Sequence, residues 1–265
     1  EIASCLVGSE MCIRDRYDAT GLAIARSLDD ARTRRMLAEG LRGFVNPGEI
    51  VALPAVLGID NHSEVLADFK KILGAEVFEI ASLPPCVPGM RLNNKLVATA
   101  KNERVDYVLG SKVTGCTVAD GKVVSVTVGT AGAGKEIKAD AVVLAGGGFE
   151  SGALKLDSHG HLHETILDLP VTMPEGVKEE DLIHGDYWGS PQPLFLCGVE
   201  VDETMLVTYQ GKPVHSNVYA AGGVIAGATR WQEKSGEGIA LGSAIKAADA
   251  ILSSVGAGAA TKERN

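Results

Sequence analysis

The sequence predicts a mixed α/β protein whose apolar strands lie in parallel. Two observations carry this. Residues 141–145 (AVVLA) and 217–221 (NVYAA) are strand-length, largely apolar runs. The first stops at Gly146, Gly147 and Gly148, the second at Gly222 and Gly223. Apolar runs of this length, bounded by glycine, mark strands buried in a parallel sheet. The first hundred residues also alternate helical and strand patterns, the rhythm of βαβ units.

Residues 1–16 have no hydrophobic periodicity. The string CLVGSEMCIRDR (5–16) resembles a translated sequencing-adapter fragment that recurs at the ends of unrelated predicted proteins. Its positive charges follow the apolar stretch, the reverse of a signal peptide. We therefore expect 1–16 to be a non-native tail and the native chain to continue upstream.

Over 17–43, Leu22, Ala25, Leu28, Met36, Leu37 and Leu41 recur at helical spacing. Residues 49–57 form an apolar segment ending at Gly58, which reads as a buried strand. Val65, Leu66, Phe69, Ile72 and Leu73 predict a helix with Gly74 as its C-cap, and 77–80 a strand. Pro84, Pro85 and Pro88 argue against regular structure over 82–88. A helix follows from 89 to about 101.

Residues 107–109, 113–118 and 123–128 read as short strands. Asp120-Gly121 joins the last two as a hairpin. Residues 129–134 make a flexible turn, and 137–140 lead into the 141–145 strand. The stretch 151–195 is irregular. Strand signals return at 198–201 and 204–207, and after a turn at Gln210-Gly211 the 217–221 strand follows. Residues 236–252 predict a small-residue helix, and 256–265 a frayed tail.

Composition excludes several functions. The 265 residues carry a net charge of −9, so the basic footprint of a nucleic-acid binder is absent. No uncharged apolar run reaches the ~18 residues of a membrane span; the best, 239–260, is broken by Lys246 and Asp249. The five cysteines form no CxxC pair, which argues against zinc ribbons, ferredoxin-type clusters and dithiol centres. No metal site is expected. Glycine is high, at 32 residues, and aromatics are low, at 5%. That balance suits a backbone that something must approach closely.

In open α/β sheets, ligands sit beyond the carboxyl ends of the strands. Gly146, Gly147, Gly148, Gly222 and Gly223 lie at such ends. Gly236 and Gly238 open a helix whose free N–H groups suit an anionic or electron-rich group. Taken together they point to a nucleotide or flavin site; taken singly, each glycine can simply permit a tight turn. The 146–152 series is not a G-x-G-x-x-G opening.

Arg91, after Pro88-Gly89, is a candidate phosphate clamp, with Asn93 and Asn94 as added donors. Arg230 is a second candidate for a phosphate or flavin edge. For both arginines the alternative is a solvated surface charge. His184 and Asp186 are candidates for general base, because oxidising a secondary alcohol also removes the hydroxyl proton. His159, His161 and His163 alternate, so on a strand they would share one face, but a metal would want further converging ligands, and a solvated polar loop explains them better.

Several phrases resemble known flavoproteins. AVVLAGGGFESGAL (141–154) and GVEVDETM…QGKPVHSNVYAAGG (198–223) resemble the returning strands of two-domain flavoproteins of the broad fumarate reductase and glycerol-phosphate oxidase class. LPPCVPGMRLNNKL (83–96), GDYWGSPQP (185–193) and SGEGIALGSAIKAADAI (235–251) narrow the resemblance. With them, residues 17–255 are similar to the C-terminal half of the B-type subunit family of anaerobic glycerol-3-phosphate dehydrogenases.

The resemblance implies an incomplete two-domain flavoprotein: a Rossmann-like flavin domain with its first strands missing, and a substrate-side α/β segment. On this reading 17–110 is the substrate-side segment, 111–150 and 196–255 are the two parts of the flavin domain, and 151–195 is an insertion. The cofactor implied is FMN or FAD. The reaction implied is oxidation of sn-glycerol 3-phosphate to dihydroxyacetone phosphate, with electrons passed to quinone. The partners implied are an A-type catalytic flavoprotein subunit and a C-type membrane-associated iron–sulfur subunit. The location implied is cytoplasmic, on the inner face of the membrane through those partners. A non-catalytic structural subunit, or a flavin dehydrogenase for another substrate, remains open. Many FAD enzymes carry an acid where this chain has Gly223, so FMN and FAD are not separated.

Overall fold

The computed structural model describes residues 20–81, 86–129, 134–186, 189–230 and 234–262. The chain divides into two compact units at Val108/Leu109. The 1–16 tail, Pro84 and Pro85, and part of the 129–134 turn lie outside the described residues.

The first unit begins with helices α1 (Gly21–Leu28) and α2 (Ala31–Arg42). The spacing predicts one helical run here, but two aspartates divide it. Asp29 closes α1, and the Asp30 carboxylate accepts the Thr33 N–H at 2.9 Å as the N-cap of α2; aspartate competes for backbone donors in this way and favours caps. Strand β1 (Ile50–Pro54), helix α3 (His62–Leu73) and strand β2 (Glu76–Ile80) form a βαβ unit, with β1 parallel to β2. Gly74 takes the left-handed conformation that ends α3, as its position predicts.

Helix α4 (Val87–Asn102) starts earlier than expected. Pro88 sits in its first turn, where a missing N–H costs nothing. Ala25, Leu28, Leu41, Val51, Leu53, Val65, Phe69, Val77 and Val87 make one core. Only one face of β1–β2 is covered: Val51, Leu53 and Val77 are buried, while Ile50, Phe78 and Ile80 are exposed.

In the second unit, β3 (Lys112–Ala119), β4 (Lys122–Gly129) and β5 (Lys135–Lys138) form an antiparallel sheet. Its hairpin turns at Asp120-Gly121, both with positive φ, as a two-residue primed turn requires. The residues ahead of 141–145 thus pair as β5 in a different sheet. Strand β6 (Val142–Leu144) pairs instead with β12 (Val218–Ala220), in parallel. Between them lie the hairpin β7 (Leu154–Leu156) and β8 (Leu162–Glu164), and the small sheet β9 (Glu200–Val201), β10 (Val207–Tyr209), β11 (Lys212–Pro213). The 204–207 strand is shorter than expected because residues 202–205 form a turn, with Met205 at positive φ.

Residues 107–109 are not a strand. Among the described residues nothing pairs with them, and Leu109 is 73% exposed. Helix α5 (Gly236–Lys262) continues past the expected end and replaces the frayed tail as far as 262. Three alanines in 255–262, the strongest helix formers, offset Gly256 and Gly258 there.

Asn217 ties the two sheet systems of this unit together. Its side chain accepts the Val123 N–H at 2.9 Å and donates to the Val123 and Asp140 carbonyls at 2.8 and 2.9 Å. It is buried, so its bonds to Val123 satisfy groups that water cannot reach.

Candidate functional site

Strands β6 and β12 run side by side in the same direction, with Val142 opposite Val218 and Leu144 opposite Ala220. Both glycine clusters therefore emerge at one end of one parallel pair. The Ala221 N–H donates to the Leu144 carbonyl at 2.9 Å and carries the pairing to that end. Gly147 and Gly222 then turn with φ of +83° and +76°, a region costly for side chains with a Cβ.

The glycines differ in what surrounds them. A Cβ on Gly146 would lie 2.7 Å from Ile166 Cδ1, and one on Gly147 2.5 Å from Ser151 Oγ. A Cβ on Gly148 would meet Arg230 Nη2 at 2.8 Å and the Gly223 carbonyl at 3.1 Å. These three glycines let the protein close on itself. Gly222 and Gly238 are less crowded: among the described residues the nearest atom to a Gly222 Cβ is Ala240 Cβ at 3.8 Å, an ordinary contact, and nothing lies within 4 Å at Gly238.

Arg230 gathers the strand ends. Nη2 donates to both oxygens of Glu150 at 2.6 Å, and Nη1 to the Gly223 carbonyl at 3.4 Å. Its guanidinium lies 4.9 Å from the centre of the Phe195 ring, within cation–π range. A Cβ on Gly236 would sit 3.8 Å from the Arg230 side chain, so the start of α5 reaches the same place. Burial alone would raise the Glu150 carboxyl; the Arg230 guanidinium outweighs it and holds the group below its usual range. Arg230 is thus already engaged by the protein's own carboxylate.

Helix α5 is fastened to this end. The Gly222 N–H donates to Ser243 Oγ at 2.9 Å, and Ser243 Oγ donates to the Ile239 carbonyl at 2.5 Å. The first N–H groups of any helix lack partners within it and carry its positive dipole end. With no side chain at Gly222 and open space at Gly238, they fit an electron-rich ring edge or an anion. On this test the β12–α5 side suits a flavin. The turn at Gly146, Gly147 and Gly148 suits packing.

Arg91 belongs to the first unit and is not an open clamp. It forms a two-pronged ion pair with Glu79, at 2.6 and 3.0 Å, and donates to the Gly58 carbonyl at 2.7 Å. Glu79 also accepts the Leu57 N–H at 2.6 Å. Burial pushes the Glu79 carboxyl up, and Arg91 with the Leu57 N–H overcomes this and leaves it low. Asn93 and Asn94 are exposed on α4.

His184 packs against Gln192, whose amide bonds both the histidine backbone and ring. The Asp186 carboxylate lies against Gly189 in the same turn. His161 and His163 both turn toward Asp157, with His163 Nε2 at 3.0 Å. The His163 ring and the His161 and His159 N–H groups hold the Asp157 carboxyl far below its usual range. Among the described residues no group of three His, Cys, Asp or Glu could hold a metal ion, and no helix is long and apolar enough to cross a membrane.

Sequence reasoning misses Phe195, Glu150, Ser243 and Gln192. Glu150 directly follows the first glycine turn, and Ser243 lies two turns into α5. Those positions are the only sequence signal either carries.

The family described as the FAD binding domain matches residues 4–239. The chain is 29% identical over 231 residues to the B subunit of anaerobic glycerol-3-phosphate dehydrogenase from Yersinia pestis, covering 87% of this chain and 53% of that one. It is 29% identical over 235 residues to the corresponding B subunit of Pectobacterium atrosepticum, covering 86% and 53%. Against the B subunit named for Halobacterium salinarum it is 30% identical over 225 residues, covering 84% and 51%. The chain thus spans about half the length of the curated relatives it matches. Among solved structures, thioredoxin reductase of T. acidophilum aligns at 16% identity and a TM-score of 0.17, over 82% of this chain and 56% of that one. A score that low adds nothing to the fold argument.

Proposed function

Since the chain belongs to the FAD binding domain family, we propose that its second unit holds FAD at the ends of β6 and β12, within a protein that oxidises sn-glycerol 3-phosphate to dihydroxyacetone phosphate. Of the two flavins considered, the family is that of FAD. The observation that carries the proposal is the parallel β6–β12 pair, whose glycine ends meet the first turn of α5 with open space at Gly238. When bound, FAD supplies the two-electron acceptor that alcohol oxidation needs. The chain's own residues shape the place. Gly222 and Gly238 keep side chains out of it, the first turn of α5 offers N–H donors, and Ser243 anchors that helix to Gly222.

The substrate is taken from the relatives' names, which also make each of them one subunit of several; the identity of the partners rests on the sequence resemblance. A B-type subunit acts beside others, here an A-type catalytic flavoprotein and a C-type iron–sulfur protein on the inner face of the membrane. Electrons would leave the flavin through those partners to quinone, since no CxxC pair occurs in this chain.

A second reading, a structural subunit of the same complex, draws on Gly146, Gly147 and Gly148, whose space the protein itself fills. One experiment separates the two. Flavin bound to the chain in its complex should bleach on addition of glycerol 3-phosphate and not of succinate. Bound flavin that glycerol 3-phosphate leaves oxidised would favour the structural reading, and bleaching by succinate would move the substrate to a dicarboxylate.

A further inference from the structure

Among the described side chains, His184 carries a buried nitrogen that the fold leaves unused. Its Nε2 is shielded from solvent and has no hydrogen-bond partner among the described residues. Buried polar atoms of this kind are few in native structures, and each needs a reason, such as a ligand.

The tautomer of His184 can be assigned from its neighbours. Gln192 Oε1 accepts the His184 backbone N–H at 2.8 Å. That bond fixes which end of the amide is oxygen, because a backbone N–H can only donate. The other end, Nε2 of Gln192, therefore carries the two hydrogens. It faces His184 Nδ1 at 3.2 Å and the His184 carbonyl at 3.1 Å. A third acceptor, the Asp186 carbonyl, lies only at the 3.5 Å limit; the two shorter contacts take the two hydrogens, so Nδ1 accepts one and holds a lone pair. In a neutral imidazole the proton then sits on Nε2. The unpartnered atom is a donor.

Gln192 also places the ring. It precedes the 3-10 turn Pro193–Leu196, which carries Phe195, the ring under the Arg230 guanidinium. One short turn therefore joins the His184 clasp to the side chain that gathers Gly148 and Gly223.

We infer that His184 is a ligand-binding residue that donates its Nε2–H to an acceptor oxygen of the bound ligand, and is not the base that removes a hydroxyl proton. A base needs its lone pair on the nitrogen that faces the reactant, and here that lone pair is committed to Gln192. The ligand chemistry is a carbonyl, hydroxyl or phosphate oxygen. FAD and the phosphorylated alcohol both offer one, and the choice between them rests on the function proposed above.

The test starts with ring-nitrogen NMR of the ¹⁵N-histidine-labelled chain, with His184 assigned by its loss in His184→Gln. The expected result is the Nε2–H tautomer. An Nδ1–H tautomer would overturn the inference. FAD, inorganic phosphate and glycerol 3-phosphate are then added separately. A shift of the Nε2–H signal with any of them supports the donor role and names the source of the oxygen. No shift with all three would leave a trapped water as the partner and overturn that role.

Affinity for the ligand that moves the signal gives an independent check. A glutamine amide can stand in for Nε2–H, so His184→Gln should keep the affinity within a few-fold, whereas His184→Leu should lose about tenfold. Equal losses in two variants that melt like the parent would contradict the donor role. A tautomer as assigned, with a response to FAD but none to glycerol 3-phosphate, would uphold the inference while removing the substrate reading.

Discussion

Glu79 and Arg91 are twelve residues apart, and nothing in the local sequence announces their pairing. Arg91 looks like a phosphate clamp because it follows Pro-Gly at a helix start. Its partner comes from the end of β2, a non-local choice that only folding makes. Both side chains are largely buried, 13% and 16% exposed, so breaking the pair should cost about 3 kcal/mol near neutral pH. The pH dependence has a definite sign. The Glu79 carboxyl is low in the folded chain, so its contribution is complete above the usual glutamate range and is lost as pH falls through the lower folded value. Denaturant melts of Glu79→Gln should therefore fall well below the parent near neutrality and converge with it in acid. A constant difference at all pH values would mean that the carboxylate charge is not what matters. Arg230 repeats the lesson: a plausible free cation in the sequence is an ion-paired tie in the fold.

At the level of elements, the local signals read well. Gly74 after α3, Asp120-Gly121 between β3 and β4, and the glycines after β6 and β12 are punctuation whose meaning depends on neighbours in sequence. The errors fall where partners decide. Residues 107–109 have strand composition but nothing among the described residues to pair with, and Ile137 and Lys138 end β5 and do not lead into β6, because the β4 edge takes them. Asn217 shows why this unit holds together despite its short strands. Its side chain imitates a strand neighbour for Val123 and also reaches the Asp140 carbonyl. Replacing it with leucine would leave the buried Val123 N–H and carbonyl without partners, and would release the Asp140 carbonyl to water. We expect Asn217→Leu to lose about 3 kcal/mol or more of stability in equilibrium unfolding; a loss below about 1 kcal/mol would show that water reaches these groups.

For the molecule as a whole, the sequence made the strand-end site legible in outline but not in its division of labour. The two glycine-ended runs do become neighbours, and the family assignment agrees with what such an arrangement holds. What could not be read is that the first cluster packs the protein while Gly222 is uncrowded and Gly238 open, since both clusters look alike as text. That distinction supplies the most direct measurement: FAD binding by the parent chain and by Gly238→Leu, side by side with thermal unfolding. Among the described residues Gly238 has no neighbour within 4 Å, and its φ is ordinary, so leucine fits the unliganded fold. The account predicts that the parent binds FAD and that Gly238→Leu loses at least about tenfold in affinity while melting like the parent. Equal affinity in the two proteins, or a parent that takes up no flavin, would contradict it.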